Sequence, residues 1–326
     1  MNLTIKVITL LIFFISVQNC YLSKPVPIEE RSRDQSALQA YSEAVILNDQ
    51  GQYSKALEKI NKAIEMNNKI ARFLLLKAQI QENRGHYVDA LATYKQVLKI
   101  QIYNPTVHEK MGEIFAKIEQ YYNAIQSVKK AFAQKPQDTR LLIIIAEYYI
   151  SLDSYDRAEN ELKTYEIQIP ANAYAADYYA AKAKVFFHSG QYAEAANFLE
   201  NCRLSKPLTP ELHRLYLNAL LNSDNYDGLY KHLISLESKD LASGDQHFYR
   251  GVYYYSKKNY SDALSQLEFA LEFNTNDSRV YYYLGKVHLE LGNLNKSKEM
   301  FDIFRTKTKM PELEDVELKD IKDTGI

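Results

Sequence analysis

The chain has no tryptophan, and its 326 residues include only two cysteines. Two cysteines are too few for the disulfide framework of a small secreted domain, and they argue against a structural zinc site. Charge of one sign is not in excess either, because 40 basic residues face 41 acidic ones. Nucleic-acid-binding surfaces are strongly basic, so this balance argues against a nucleic-acid partner.

Sequence motifs of the common catalytic sites are also missing. The chain has no glycine-rich phosphate loop after a strand, no His-Glu-x-x-His and no Gly-x-Ser-x-Gly. These motifs supply phosphate-binding amides, zinc ligands and an activated serine, respectively. We therefore predict that the protein is not an enzyme, with no catalytic residue, no cofactor and no metal site.

Long apolar runs are confined to the N-terminus, where Val7 to Val17 form an apolar run that follows Lys6. A run of this length is too short to cross a bilayer comfortably, since about 20 residues are needed. A basic residue followed by a short apolar core is typical of a signal peptide. Residues 1–19 are therefore predicted to be a signal peptide and are left out of the fold prediction.

Cys20 comes directly after this segment. The arrangement resembles a bacterial lipoprotein signal, in which the cysteine is acylated and becomes the mature N-terminus; Val17 fits that pattern, whereas Asn19 departs from the usual Gly, Ala or Ser. The resemblance implies lipidation at Cys20, a membrane anchor and export to the cell envelope. An ordinary secreted protein and an uncleaved anchor are the alternatives. Residues 20–36, with two prolines and no helical stripe, are predicted to be a tether.

A seven-residue motif occurs eight times along the rest of the chain. It begins as GQYSKAL at Gly51 and recurs from residues 85, 119, 153, 190, 224, 258 and 292. Successive copies are 34 residues apart, except for one interval of 37. A fixed period of roughly 20 to 50 residues is the signature of a repeat array, in which each repeat packs only against its neighbours.

Each repeat is predicted to contain two helices joined by a tight turn. Four repeats place glycine in the turn, where a residue with positive φ is needed: Gly51, Gly85, Gly190 and Gly292. None of the eight prolines falls inside a predicted helix. If the first repeat is counted from Ala37, the eighth and twentieth positions of the repeats are mostly Ala or Gly. Small residues at these two positions allow two antiparallel helices to approach closely.

This pattern resembles the tetratricopeptide repeat, which combines the 34-residue period with small residues at positions eight and twenty and an aromatic residue at position seventeen. The resemblance covers residues 37–311 and implies an all-α fold, a right-handed superhelical solenoid of about eight helix-turn-helix units. The units are residues 37–70, 71–104, 105–138, 139–172, 176–209, 210–243, 244–277 and 278–311. Residues 312–326 follow as an acidic C-terminal tail or a short capping helix.

The resemblance also implies a binding groove, because in this family the first helix of each repeat lines a concave surface. At the positions that face it, the C-terminal half is more aromatic and more basic than the N-terminal half, which suits an extended peptide with acidic groups. The predicted groove set is Lys184, Phe187, His188, Arg214, Asn218, Asn222, Phe248, Tyr255, Arg279, Tyr282 and Lys286. The N-terminal half remains the other possible location.

Some members of the family clamp the terminal carboxylate of heat-shock chaperones. Arg214, Asn218 and Arg279 match three positions of that clamp, but Tyr249 and Tyr283 occupy the other two, so this ligand is not predicted. The resemblance implies instead a non-enzymatic protein-binding scaffold of the bacterial cell envelope, with a role in envelope, secretion or pilus assembly. The alternative is a surface-exposed lipoprotein adhesin that binds external macromolecules.

Two features of the C-terminal half lead to local predictions. His213 and His247 occupy the same position in successive repeats, where they could approach each other in the seam between helices, and Cys202 is predicted to be a small buried residue. The sixth repeat has Leu217 and Leu229 where the others have small residues. Because overpacking strains a core, we expect a local irregularity there and a hinge between repeats one to five and seven to eight.

Overall fold

The computed structural model describes the backbone of residues 28–308, apart from residue 238 and residues 274–276, and the side chains from residue 32 onward. Within these ranges the secondary structure is helical throughout, with sixteen α-helices, one short 3₁₀ helix and no strand. The prediction of an all-α helical-repeat solenoid is confirmed. The helices follow the 34-residue period in pairs, so that odd-numbered helices come first in each repeat and even-numbered helices second.

Each of the eight repeats contributes two helices. Repeats one to four contain α1 (Ile28–Asp49), α2 (Tyr53–Met66), α3 (Ala71–Asn83), α4 (Tyr87–Ile100), α5 (Pro105–Lys117), α6 (Tyr121–Gln134), α7 (Arg140–Ile150) and α8 (Tyr155–Gln168). Repeats five to eight contain α9 (Ala176–His188), α10 (Tyr192–Ser205), α11 (Pro210–Asn222), α12 (Tyr226–Ile234), α13 (Ser243–Ser256), α14 (Tyr260–Glu272), α15 (Arg279–Glu290) and α16 (Leu294–Thr308). The 3₁₀ helix, Ala171–Ala173, covers the last two residues of repeat four and the residue that follows them.

The predictions for the two ends of the chain lie outside the described residues. They are the signal peptide at 1–19, lipidation at Cys20, the first part of the tether at 20–27, and the tail or capping helix at 312–326. These remain predictions from the sequence.

The first helix begins earlier than predicted, because residues 28–36 of the predicted tether are helical. This stretch has no apolar stripe, which is why the sequence indicated a tether. Polar contacts hold it instead, since Arg33 Nη2 donates to the carbonyl oxygen of Glu65 at 3.2 Å and Asn67 Nδ2 donates to Asp34 Oδ1 at 3.0 Å. A helix whose remainder is packed can extend through such residues, because propagation is cheaper than nucleation.

The chain divides into two compact units, one up to Lys135 and one from Pro136 onward. The described part of the first unit contains two clusters of buried apolar residues, which run from Ala37 to Ile80 and from Ala71 to Ile114. In the second unit one larger cluster extends from Ala180 to Val287. All residues of the predicted groove set belong to the second unit.

Each turn between paired helices contains one residue with positive φ. The four predicted glycines have φ of 72–75°, and the other four repeats place Glu119, Asp153, Asp224 and Lys258 at this point with φ of 52–60°. A side chain in this region costs roughly 1–2 kcal/mol. The turn nevertheless stabilises the end of the first helix, because the residue after the positive-φ residue donates its backbone N–H to a carbonyl oxygen of the last helical turn. After Lys258, for example, Asn259 N donates to Tyr254 O at 2.9 Å.

Small residues at position eight allow the paired helices to approach closely, as predicted. A Cβ added to Gly112 would lie 2.5 Å from Val128 Cγ2, and a Cβ added to Gly285 would lie 2.8 Å from the ring of Phe301. Both partners are at position twenty-four of the same repeat, on the second helix. A larger residue at position eight therefore requires a change in the second helix.

The sixth repeat shows such a change, so the predicted irregularity is present. Its second helix, α12, has nine residues, whereas α10 has 14 and α14 has 13. The predicted hinge stays a prediction. Leu217 and Leu229 are fully buried in the cluster that joins repeats five to eight, so the core accommodates both larger side chains.

Candidate functional site

The predicted groove set lies on the first helices of repeats five to eight. Helix α9 carries Lys184, Phe187 and His188; α11 carries Arg214, Asn218 and Asn222; α13 carries Phe248 and Tyr255; and α15 carries Arg279, Tyr282 and Lys286. Helix α9 packs on α11, and α13 packs on α15. The 34-residue period thus brings these side chains onto neighbouring helices, although their environments differ from those expected.

Arg279 belongs to a partly buried polar network and is not an open groove cation. Its Nε and Nη2 donate to both carboxylate oxygens of Asp277, at 2.9 and 2.6 Å, and Nη2 also donates to Asn218 Oδ1 at 2.9 Å. Tyr249 OH donates to the same Asn218 oxygen at 2.7 Å. The Arg279 side chain is only 19% exposed. This corrects the prediction for Arg279 and Asn218, which connect repeats six, seven and eight.

Phe248 is also misplaced by the prediction, because it is fully buried in the core of the second unit. The Arg279 guanidinium lies 5.0 Å from the centroid of its ring. The position of Phe248 in the repeat predicts a side chain that faces the groove. The side chain instead has no exposed surface, because the Arg279 network covers it. Phe248 is therefore a core residue that packs against the Arg279 guanidinium.

Two more cations of the set, Lys184 and Arg214, also have acidic partners within the chain. Lys184 Nζ lies 3.4 Å from Glu211 Oε1, and Arg214 Nη2 lies 2.6 Å from Asp245 Oδ2. The basic groove predicted from the sequence is therefore charge-compensated. The sequence contains a signal for this, because position two is acidic in repeats six and seven and both acids, Glu211 and Asp245, reach a base on the preceding first helix. The acid at position two of repeat five, Asp177, pairs with Lys206 instead.

Lys286 is surrounded by aromatic rings. Its ammonium lies 4.7 Å from the centroid of Tyr255, 5.4 Å from that of Tyr282 and 5.7 Å from that of Tyr283. Cation–π attraction of this kind is worth about 0.5–2 kcal/mol. Burial raises the pKa of the Tyr255 hydroxyl to about 12, with smaller contributions from Glu290, Tyr260 and Tyr282. Tyr255 and Tyr282 thus present neutral, half-buried rings.

Two further aromatic members of the set, His188 and Phe187, also reach the surface of α9. His188 is exposed overall, but its ring stacks on that of Tyr155, with centroids 4.2 Å apart. Partial desolvation of the imidazole lowers its pKa, and Asp153 acts against this shift. Phe187 is half-buried and meets Tyr192 edge to face at 5.2 Å. Asn222 is exposed at the end of α11. These side chains and the tyrosines form the accessible part of the predicted site.

The histidines predicted to approach each other across repeats do not pair. His213 lies on His232 of its own repeat, with 3.1 Å between Nδ1 and Nε2, and His247 Nδ1 lies 2.9 Å from Oε1 of Gln266, which is also in its own repeat. Cys202 is fully buried, as predicted. In the part of the chain that the structure describes, no cluster of three or more potential metal ligands occurs, and none of these helices is both long and apolar enough to cross a membrane.

Sequence comparison finds the same repeat in part of the chain. Residues 41–105 match the tetratricopeptide repeat family. The Hsp70-Hsp90 organising protein of Plasmodium falciparum is 36% identical over 60 residues. That match spans 18% of this chain and only 11% of the relative's length.

Structural comparison extends the likeness to most of the chain. A tetratricopeptide repeat protein from Parabacteroides merdae is similar with a TM-score of 0.55 and 16% identity, covering 78% of this chain and 99% of that one. The C-terminal part of a repeat-containing protein from Cytophaga hutchinsonii is similar with a TM-score of 0.59 and 15% identity, covering 75% and 99%. At these identities the likeness shows a shared fold.

Proposed function

We propose that this chain, which matches the tetratricopeptide repeat family over residues 41–105 and shares the fold of such proteins, is a non-enzymatic scaffold that binds a peptide or protein segment along the first helices of its second unit. Proteins of this fold generally act as protein-interaction scaffolds without catalytic activity. The observation that carries the proposal is the row of accessible aromatic and polar side chains on α9, α11, α13 and α15, which include Phe187, Asn222, Tyr255 and Tyr282. Aromatic anchors beside polar groups are typical of recognition surfaces.

The ion pairs define which partner this surface would accept. Arg214 and Arg279 are held by close carboxylates, whereas Glu211 is 75% exposed and 3.4 Å from Lys184. Exposed pairs of this kind are worth no more than about 1 kcal/mol. A carboxylate of the partner can therefore replace Glu211 at Lys184. The proposed partner is an extended segment that brings one acidic group to Lys184 and apolar side chains to the tyrosines of α13 and α15.

Binding should depend on Lys184 and Tyr282. Peptides selected on the wild-type protein from a random display library should bind Lys184→Gln and Tyr282→Ala about tenfold more weakly, since loss of one interface anchor costs more than about 1 kcal/mol. Isothermal titration calorimetry gives the Kd. Lys163→Gln is the matched control, because Lys163 is 56% exposed on the second helix α8. Selected peptides that bind all four proteins equally would contradict the proposed surface.

The proposed location is the bacterial cell envelope, with the chain anchored through lipid at Cys20. The support comes from the N-terminal sequence, in which an apolar run precedes that cysteine. A scaffold held there would serve envelope, secretion or pilus assembly. The same anchor is compatible with a surface adhesin that binds external macromolecules, and protease accessibility on intact cells separates the two.

Lipidation predicts a specific loss in Cys20→Ala. This variant should accumulate as a slower-migrating precursor and leave the detergent phase, because the acyl chains that hold a lipoprotein in the membrane are absent. Cys202→Ala is the control, since this second cysteine is buried within the second unit. Equal partitioning of the wild type and Cys20→Ala would contradict the anchor and leave the scaffold proposal intact.

A further inference from the structure

A pair of histidines is buried in the sixth repeat. His213 on α11 and His232 on α12 are 8% and 6% exposed, and their rings stack at 5.2 Å with 26° between the planes. Nδ1 of His213 and Nε2 of His232 are 3.1 Å apart. One of these nitrogens must carry a hydrogen and the other a lone pair, so this hydrogen bond requires that the two rings are not both protonated.

The charged groups around the pair offer no open counter-ion. On α10, Glu200 accepts from Arg203 at 2.5 and 2.8 Å and from the hydroxyl of Tyr216 at 3.1 Å, and Tyr216 itself lies on α11 with its ring 4.5 Å from that of His232. In the segment after α12, Asp240 Oδ2 accepts from the backbone N–H of Glu237 at 2.9 Å. The nearby carboxylates are thus engaged, and the Arg203 guanidinium adds a positive charge.

We propose that the His213–His232 pair makes the sixth repeat an acid-sensitive joint, in which protonation of the pair separates α12 from α11. A first proton adds to a ring nitrogen outside the shared bond and places a charge in the core. A second proton occupies the accepting lone pair, so that the hydrogen bond is replaced by repulsion between two cations. The joint goes beyond the proposed scaffold function and does not depend on it.

The direction of the pH effect follows from the pKa values. Burial lowers the pKa of His232 from 6.5 to about 4, with His213 and Arg203 lowering it further and Glu200 and Asp240 acting against them. Burial also lowers the pKa of His213. A histidine whose pKa is depressed by packing stabilises the closed repeat above its ordinary pKa, and this contribution is lost as the pH falls below that value. The joint is therefore closed at neutral pH and weakens from about pH 6.5 downward.

The joint is placed where it can alter the proposed binding surface. Helix α11 carries His213 toward the core, and it also carries Asn218, whose oxygen receives hydrogen bonds from Arg279 and Tyr249. Separation of α12 removes part of the packing that holds α11, and a shift of α11 would break this link between repeats six, seven and eight. Acid would thus loosen the surface formed by α11, α13 and α15.

The seventh repeat contains a matched arrangement without the second histidine. His247 and Gln266 occupy the same two repeat positions as His213 and His232, and Gln266 Oε1 lies 2.9 Å from His247 Nδ1. The variant His232→Gln therefore reproduces a pairing that this fold already contains. It removes one titrating group and keeps a hydrogen-bond partner for His213.

Cys202 is the reporter for opening, because it is fully buried in the same core cluster as Leu212 and Leu229 of the sixth repeat. The full chain is labelled with 4,4′-dithiodipyridine at pH 7.5 and 5.0, and modification of Cys202 is measured by peptide mass spectrometry. Rates are expressed relative to the same chain unfolded in urea at each pH. From pH 7.5 to 5.0 the relative rate in the wild type should rise about 30-fold from His232 alone.

The rise from pH 7.5 to 5.0, taken relative to each variant's own rate at pH 7.5, should be much smaller in His232→Gln, which keeps only His213 of the pair. His247→Gln is the control and should retain the wild-type rise, since His247 is half-buried in the neighbouring repeat. His213→Leu tests the other half of the pair with a residue that repeats two and four place there, should His232→Gln fold poorly. An equal acid response in the wild type, His232→Gln and His213→Leu would overturn the joint.

Discussion

Arg279→Glu should lower the free energy of unfolding by about 3–5 kcal/mol, because it breaks a buried charged network by reversing one member. The Arg279 side chain is 19% exposed and donates to Asp277 and Asn218. A glutamate there would face Asp277 at close range and leave the Asn218 oxygen with one donor fewer. Urea denaturation followed by circular dichroism measures the change.

Arg214→Glu is the matched control, since Arg214 is 52% exposed and pairs with Asp245 on the same row of first helices. Its partner Asp245 is only 13% exposed, but a glutamate at the solvated position 214 can turn to water, so this variant should lose clearly less stability than Arg279→Glu. Sequence alone predicts equal behaviour for the two arginines, because both were assigned to an open groove. Equal losses of stability would show that Arg279 is as solvated as Arg214 and would contradict the network.

The 34-residue period made most of the fold predictable. Residue types at fixed repeat positions encode the helix pairs, as Gly112 and Gly285 show, because a side chain there would clash with the second helix. Positive φ at Lys258 and Glu119 was not foreseen, since only glycine signals this conformation in a sequence. The tight turn between the two helices of a repeat requires positive φ at this position, whichever residue type occupies it.

The candidate site was less predictable, because the sequence gives a position in the repeat but not the partner that a side chain meets. Phe248 and Tyr255 were both assigned to the groove by position, yet Phe248 is buried and Tyr255 half-buried. The deciding contact is Arg279 with Asn218, which are 61 residues apart. Such contacts between repeats depend on how the helices stack, and no local pattern specifies them.

A buried ion pair at the junction of repeats four and five has a similarly large expected effect. Lys182 on α9 is 6% exposed at its side chain, and its ammonium lies 2.9 Å from Glu166 Oε1 on α8. Tyr178 OH donates to the same Glu166 oxygen at 2.8 Å. The two partners are unequally buried, because the Glu166 side chain is 29% exposed and can be solvated. Removing the acid should therefore cost more than removing the base.

Glu166→Gln should lower the free energy of unfolding by about 3 kcal/mol, because the amide oxygen still accepts from Tyr178 but leaves the Lys182 ammonium buried without a negative charge. Lys182→Met should cost less than about 1.5 kcal/mol, since methionine fills a similar volume and Glu166 turns to water. The double variant should lose no more stability than Lys182→Met alone, with a coupling energy of about 3 kcal/mol in a double-mutant cycle measured by urea denaturation. A larger loss in Lys182→Met than in Glu166→Gln would mean that the packing of the lysine stem, and not its charge, holds repeats four and five together.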